Sequence, residues 1–255
     1  MNRIFAFTIR NIKELLRDPL GYIFCLGFPL IMLIIMTLVD QSIPKEAVTI
    51  FHIENLAPGV AVFGQMFVML FTALNVSNDR SGTFLMRLYA TPMTAADLTA
   101  GYIIPMLIIA IIQTVITFTA AFIISVVIGS TLSIGGILMC MLTLIPSALM
   151  FIGIGLIFGV LFNEKSAPGI CSIIISLGSF FGSIWFDAEK TSGVMLTICK
   201  CTPFFYCTKS ARSAMALKFD GEGFALPLFI VMLCACVIIA LGCVAFSKKM
   251  KADLG

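Results

Sequence analysis

Charged side chains are scarce in this chain of 255 residues. Asp, Glu, Lys and Arg together make up 11% of the residues, whereas 60% are hydrophobic and the mean hydropathy is +1.11. Soluble globular domains carry about 25% charged residues. The composition therefore excludes a soluble globular protein, and the long apolar runs predict an all-α integral membrane protein.

Histidine is represented only by His52, and the sequence GxxxxGK[ST] does not occur. A histidine-based metal site or a Ser-His catalytic pair within the membrane cannot be assembled from such a chain. The chain also has no P-loop with which to bind ATP. We expect a non-catalytic subunit without a metal or cofactor of its own, so nucleotide-driven activity would need a separate chain.

None of the six runs that have the length of a membrane span contains Asp, Glu, Lys, Arg or His. Transporters driven by protons or by voltage usually need such groups at membrane depth. The main polar residues in the spans suit interhelical hydrogen bonds better than ion coupling: Gln65, Asn75, Gln113, Thr114 and Thr117. The predicted spans are residues 20–39, 57–77, 101–129, 134–162, 167–185 and 224–246.

Residues 1–18 are amphipathic and precede the first span. Apolar residues recur at helical spacing at Phe5, Ile9, Ile12 and Leu16, which predicts a helix lying in the membrane interface. The apolar run that follows is too long for a signal peptide and offers no small-x-small cleavage site, so we expect this helix to be retained. Charged residues fill its other side: Arg3, Arg10, Lys13, Glu14 and Arg17.

The segment 79–98 is the only substantial polar stretch between two apolar runs near the middle of the chain. It predicts a short amphipathic helix capped by Asp79 or Ser81 and ended before Pro92. Thr94 to Asp97 resembles a capping box that begins the next helix. The alternative interpretation is an ordinary solvated loop.

Residues 187–223 are too long for a turn and only intermittently apolar. The short apolar runs 194–198 and 203–206 predict re-entrant or surface helices, because neither is long enough to cross a membrane. Three cysteines fall in this region, and a disulfide between Cys207 and either Cys199 or Cys201 stays open at this point.

The distribution of Lys and Arg predicts the orientation. Ten lie on the side that carries both termini and the 79–98 segment, against six on the other side, so we place both termini in the cytoplasm of a cell-membrane protein. Two GxxxG patterns allow close approach of helices: Gly155 with Gly159, and Gly178 with Gly182.

The whole chain resembles the membrane subunit of type-2 ABC transporters. The Gly-Thr to Thr-Pro segment is the most specific part of the resemblance, and the order of the pieces matters more than any one of them. These pieces are Arg17-Asp18-Pro19, Phe28-Pro29, Ser81-Gly82-Thr83-Phe84, Ala90-Thr91-Pro92 and the late residues Pro203, Tyr206 and Arg212.

The resemblance implies a six-span permease that pairs with a second permease and with two ATP-binding subunits, which would hold ATP and Mg. It implies an external gate in the re-entrant region at Pro203, Phe204 and Tyr206. The 79–98 segment would be a coupling helix that docks on the ATPase, with Phe84 and Leu88 as apolar anchors. Its coupling residues are Arg80, Gly82, Thr83, Phe84, Arg87, Leu88, Thr91 and Pro92.

Export of a hydrophobic or amphipathic cargo (a drug, an antimicrobial peptide or a lipid) follows from the same resemblance. The first, second and fifth spans would line the path, since their Phe, Met and small residues suit such a cargo. Two other functions stay open: a stand-alone channel or facilitator, and a non-transporting membrane immunity factor.

Overall fold

The computed structural model describes residues 2–44, 49–82, 94–191 and 193–254. Within these residues every regular element is a helix. Five helices are long and apolar enough to cross a membrane: Ile23–Ser42, Ile53–Ser81, Ala95–Ile128, Ile134–Leu161 and Gly221–Lys249.

The fifth predicted span, residues 167–185, is a shorter helix than the sequence indicates. It extends over Ala167–Phe181, which is 15 residues. At 1.5 Å per residue this gives about 22 Å, less than the roughly 30 Å of a hydrocarbon core. The chain turns at Gly182 and at Ser183, whose φ is 57°, so the apolar residues 184–185 lie outside the helix.

The N-terminal part consists of α1 (Asn2–Leu15) and a span built from three pieces. These pieces are α2 (Pro19–Tyr22), a π-helical turn at Ile23–Gly27 and α3 (Phe28–Ser42). Helix α1 buries Phe7, Asn11 and Leu15 against the bundle. Its predicted apolar stripe lies on another face, because Phe5 is 67% and Leu16 is 66% exposed.

Helix α4 (Ile53–Ser81) is the centre of the bundle and is buried along most of its length. It contacts α3 and four later helices. The helix extends four residues beyond each end of the span predicted at 57–77. It therefore takes Asp79 and Ser81 into its last turn, and the expectation that they cap a separate helix was wrong.

Helix α5 (Ala95–Ile128) begins with the predicted capping box. The Thr94 hydroxyl accepts a hydrogen bond from the backbone N–H of Asp97, and the Asp97 carboxylate accepts one from the N–H of Thr94. The helix ends at Gly129, which adopts a left-handed conformation with φ 77°. The next span, α6 (Ile134–Leu161), contacts both α4 and the last span.

Helix α7 (Ala167–Phe181) leads into the region 187–223, which contains two short helices. These are α8 (Val194–Cys201) and α9 (Pro203–Met215), both longer than the apolar runs that predicted them. A π-helical turn at Gly221–Ala225 then opens α10 (Leu226–Leu254). Helix α9 contacts α4, α6 and α10, so this region is fastened to the spans.

Candidate functional site

A buried carboxylate lies at the end of α4, immediately before the predicted coupling segment. Asp79 is 8% exposed and accepts two hydrogen bonds from the Arg10 guanidinium, at 2.8 and 2.9 Å. This bidentate arrangement is the strongest geometry for an Arg–carboxylate pair. The pair therefore fixes α1 to α4 at the base of the segment.

Tyr102 in α5 completes this network from the other side of the segment. Its hydroxyl donates a 2.7 Å hydrogen bond to Asp79, and the residue is almost fully buried. Its ring meets Phe7 of α1 edge-on and stacks on Phe246 of α10. The side chain of Asn11 also donates to the backbone oxygen of Gly101 in α5. We call Arg10, Asn11, Asp79 and Tyr102 the coupling-end network.

Glu14 is a second carboxylate beside Arg10, at 2.8 Å in an i, i+4 salt bridge. Burial raises the pKa of Glu14, the charge of Asp79 raises it further, and Arg10 lowers it in part. The net pKa of Glu14 lies above its ordinary value. Asp79, which is buried and accepts two hydrogen bonds from Arg10, is the more enclosed of the two carboxylates beside Arg10.

The residues after Asp79 join the same end of α4 to α6. Arg80 donates to the backbone oxygen of Val160, and the Ser81 hydroxyl donates to Glu164 at 3.1 Å. A C-terminal helix carbonyl is a favourable partner for a cation. Arg80, expected as one of the coupling residues, therefore contacts the adjacent span.

Only two of the eight predicted coupling residues fall within the described residues. Arg80 lies in the last turn of α4, and Gly82 follows as its C-terminal cap. The other six lie outside the described residues: Thr83, Phe84, Arg87, Leu88, Thr91 and Pro92.

Sequence reasoning missed Arg10, Asp79 and Tyr102 as one network. Arg10 and Asp79 are 69 positions apart, and Tyr102 was assigned to an apolar span. One signal was available, namely a lone acidic residue four positions before Thr83 at the end of an apolar helix.

Arg212 is the corresponding fastening point at the opposite end of the bundle. Its guanidinium donates to three backbone oxygens, those of Asn55 at 3.0 Å, Ser183 at 2.8 Å and Ile184 at 3.3 Å. Burial lowers the pKa of Arg212 to about 10, an effect that the charges of Asp187 and Glu189 partly offset. Arg212 stays protonated at neutral pH and joins α9 to α4 and to the turn after α7.

The predicted gate residues lie where α9 begins. Pro203 is its first residue, and Phe204 stacks on Phe151 of α6 with ring centroids 5.7 Å apart. Tyr206 is half-buried and meets Phe205 edge-on. All three predicted residues thus lie on one short helix against the bundle.

The cysteines of this region are free thiols in the structure. Cys199 and Cys207 are buried, whereas Cys201 is exposed. Burial raises the pKa of Cys207 to about 12.

The glycine pattern of α6 lies where α6 crosses α4. A Cβ atom at Gly155 would overlap the backbone oxygen of Met69, and one at Gly159 would lie 2.8 Å from the backbone oxygen of Ala73. On α7, a Cβ at Gly178 would lie 3.2 Å from the end of the flexible Met66 side chain, a less strict requirement. A Cβ at Gly182 would overlap the backbone oxygen of Gly178.

An aromatic cluster joins α3, α4 and the turn after α7. Phe63 lies 5.9 Å from Phe28, 5.2 Å from Phe67 and 5.2 Å from Trp185, measured between ring centroids. Phe28 also contacts Phe67 at 5.1 Å. The cluster lies on the side of α4 where the first predicted span and the end of the fifth approach each other.

Polar side chains at membrane depth are used for helix contacts. Gln65 donates to the backbone oxygen of Leu144 at 3.0 Å and accepts from Ser147 at 2.6 Å, which ties α4 to the α6 residues around Pro146. Gln113 donates to Thr117 within α5, and its side-chain oxygen has no partner among the described residues.

A family model described as ABC-2 type transporter matches residues 2–216, most of the chain. No curated protein matches the sequence.

Proposed function

The chain belongs to the ABC-2 type transporter family as a membrane permease subunit, and from this premise we propose that it is the permease of an ATP-driven exporter of hydrophobic or amphipathic cargo. ATP and Mg would be held by two separate ATPase subunits. A second permease, identical or a sister chain, would complete the transport path. Both termini and the 79–98 segment would face the cytoplasm, because most Lys and Arg residues lie on that side.

The coupling-end network is the observation that carries this proposal. Asp79 comes four residues before position 83, and Tyr102 follows the segment in α5. Because Arg10 and Tyr102 both bind the Asp79 carboxylate, a displacement of the segment would be transmitted to α1, α4 and α5 together. A solvated loop has no need for a buried ion pair at its base, since such a pair carries a desolvation cost.

The transport path is proposed along the aromatic cluster of Phe28, Phe63, Phe67 and Trp185. Its position between α3, α4 and the turn after α7, which belong to the first, second and fifth predicted spans, supports the sequence-based expectation. The outward face of α7 adds Ser172 and Ser176, which are exposed and whose hydroxyls donate to backbone oxygens of their own helix. Hydroxyl groups on such a face suit an amphipathic cargo or a partner helix better than lipid chains.

The gate is proposed at Pro203, Phe204 and Tyr206 on α9. Arg212 would hold α9 in place against α4 through one hydrogen bond and against the turn after α7 through two, so opening would require α9 to move with both or to break these bonds. In an alternating-access cycle, ATP would bring the two ATPases together and shift the coupling segments, and the two permeases would then open outward.

Isolation of the complex from its native membranes tests the proposal. The protein would be solubilised in mild detergent, captured and analysed by mass spectrometry, and its ATPase activity measured with and without vanadate. Recovery of a P-loop ATPase with vanadate-sensitive turnover is expected. Recovery of this chain alone, without ATPase activity, would favour a stand-alone channel.

A second experiment tests the docking role of the segment. Phe84→Asp and Leu88→Asp should each abolish ATPase capture, because a buried carboxylate in an apolar groove is strongly disfavoured. Lys165→Asp is the matched control, as it introduces the same group at the same end of the bundle. Undiminished capture by both segment variants would refute the docking role.

A further inference from the structure

A polar cavity of about 430 Å³ lies at the end of the bundle opposite α1. Four parts of the chain form it: the residues before α4, the turn after α7, the inner side of α9 and the turn that opens α10. Among its lining residues are seven with ionisable side chains: Asp187, Glu189, Lys209, Arg212, Lys218, Asp220 and Glu222.

Salt bridges neutralise some of the charged side chains in the cavity and leave two positive and two negative side chains without a salt-bridge partner among the described residues. Lys209 is paired with Glu189 at 2.6 Å, and Asp187 is paired with Lys190 at 3.6 Å. Arg212, by contrast, bonds only to backbone oxygens, and no carboxylate of the described residues lies within 4.0 Å of its guanidinium. Lys218, Asp220 and Glu222 likewise form no salt bridge in the described part of the chain.

Arg212 keeps donors available for a ligand. A guanidinium has five N–H groups, and Arg212 uses one on each of its three nitrogens. Its planar fork suits a phosphate or carboxylate. Asp220 accepts a hydrogen bond from the N–H of Gly223 and so holds its carboxylate in a fixed position.

The rim of the cavity carries apolar side chains that suit the surface of a bilayer. Leu217 is 45% and Phe219 is 51% exposed, and they alternate with the cavity residues Lys218 and Asp220. Alternation of exposed apolar and charged side chains is the pattern of a segment at headgroup depth, where apolar groups enter the lipid and charged groups stay in water.

We propose that this cavity binds a zwitterionic phosphoethanolamine group, with the phosphate at Arg212 and Lys218 and the ammonium at Asp220 and Glu222. The group could be supplied by the headgroup of phosphatidylethanolamine or by free phosphoethanolamine. The headgroup carries one negative phosphate and one positive ammonium. The cavity offers two positive and two negative side chains without a salt-bridge partner within the described residues, which match these charges. A purely anionic ligand would meet two uncompensated carboxylates, which disfavour it.

The test uses the full-length protein in detergent with equal amounts of phosphatidylethanolamine, phosphatidylglycerol and phosphatidylcholine. Native mass spectrometry should show retention of phosphatidylethanolamine over the other two by about fivefold, because phosphatidylglycerol lacks the cation and phosphatidylcholine has no N–H to donate. Lys218→Gln with Glu222→Gln should remove this preference. The control pair Lys200→Gln with Glu54→Gln lies outside the cavity and should keep it.

A thermal shift with free phosphoethanolamine separates the two sources. If free phosphoethanolamine raises the unfolding temperature of the original protein but not that of the Lys218→Gln, Glu222→Gln variant, the soluble group is sufficient for binding. If the unfolding temperature does not change but phosphatidylethanolamine is retained, the lipid is the ligand. Equal retention of all three lipids together with no thermal shift would overturn the proposal. Persistence of the phosphatidylethanolamine preference in the double variant would also overturn it, because the lipid would then bind elsewhere.

Discussion

Replacing Asp79 with asparagine removes the carboxylate that joins α1, α4 and α5. Asp79 accepts three hydrogen bonds, two from Arg10 and one from Tyr102. Asparagine keeps one acceptor oxygen, but its amide would place N–H groups against the donors of Arg10. Hydrogen bonds to charged groups contribute about 1.5–3 kcal/mol each. Because Arg10 is one-third exposed, part of this is screened, and we expect a loss of about 2 kcal/mol in the free energy of unfolding.

A double-mutant cycle isolates the contribution of the pair. Arg10→Gln, Asp79→Asn and the double variant would be compared by denaturant unfolding of the purified protein in micelles. The double variant should lose about 1–2 kcal/mol less than the sum of the two single variants, since each single change already removes the shared interaction. Arg17→Gln, on an exposed part of the chain beyond α1, is the control. Additive losses would show that Arg10 and Asp79 do not stabilise each other.

The same variants separate stability from coupling. In the reconstituted transporter, Asp79→Asn should retain its ATPase partner but lower cargo-stimulated ATP hydrolysis by about tenfold, corresponding to about 1.4 kcal/mol of coupling. Tyr102→Phe removes one hydrogen bond and keeps the ring, so it should give a smaller decrease of the same kind. Full stimulation in Asp79→Asn, measured where the protein stays folded, would refute the role of the network in coupling.

Three further outcomes follow from the structure. Gly155→Ala should destabilise the protein by on the order of 1–3 kcal/mol, because the new Cβ would overlap α4. Gly169→Ala is the control and should leave stability unchanged, since a Cβ there has no neighbour within 4 Å. Thermal unfolding of both variants measures the difference. A membrane-impermeant maleimide applied to intact cells should label the exposed Cys201 but not the buried Cys199 or Cys207. Absence of labelling at Cys201 would contradict the proposed orientation. Because the pKa of Glu14 is raised, the folded protein binds the Glu14 proton more tightly than the unfolded chain does. The contribution of Glu14 to the free energy of unfolding therefore falls as the pH rises from the unfolded pKa to the folded pKa. Glu14→Gln should remove this pH dependence when unfolding is measured across that range.

Local sequence patterns were sufficient for the helices but not for the contacts that fasten them. The Thr94 capping box and the five long spans could be predicted because a cap and an apolar run depend on neighbouring residues. The ion pair of Arg10 and Asp79 depends on how α1 folds back on α4, which no local pattern specifies. Asp79 was mistaken for a cap because aspartate is a favoured capping residue, yet tertiary contacts carried the helix past it.

Helix α4 connects the two fastening points and explains why both matter for the proposed mechanism. Its 29 residues span about 44 Å, with Asn55 bound by Arg212 at one end and Asp79 bound by Arg10 and Tyr102 at the other. Its only proline, Pro58, lies in the second turn, and the close α6 contacts at Gly155 and Gly159 brace its middle. A helix braced in this way moves more easily as a unit than by bending. A shift imposed at Asp79 would therefore reach α9 as a displacement of Asn55, so that the proposed coupling segment and the proposed gate would move together.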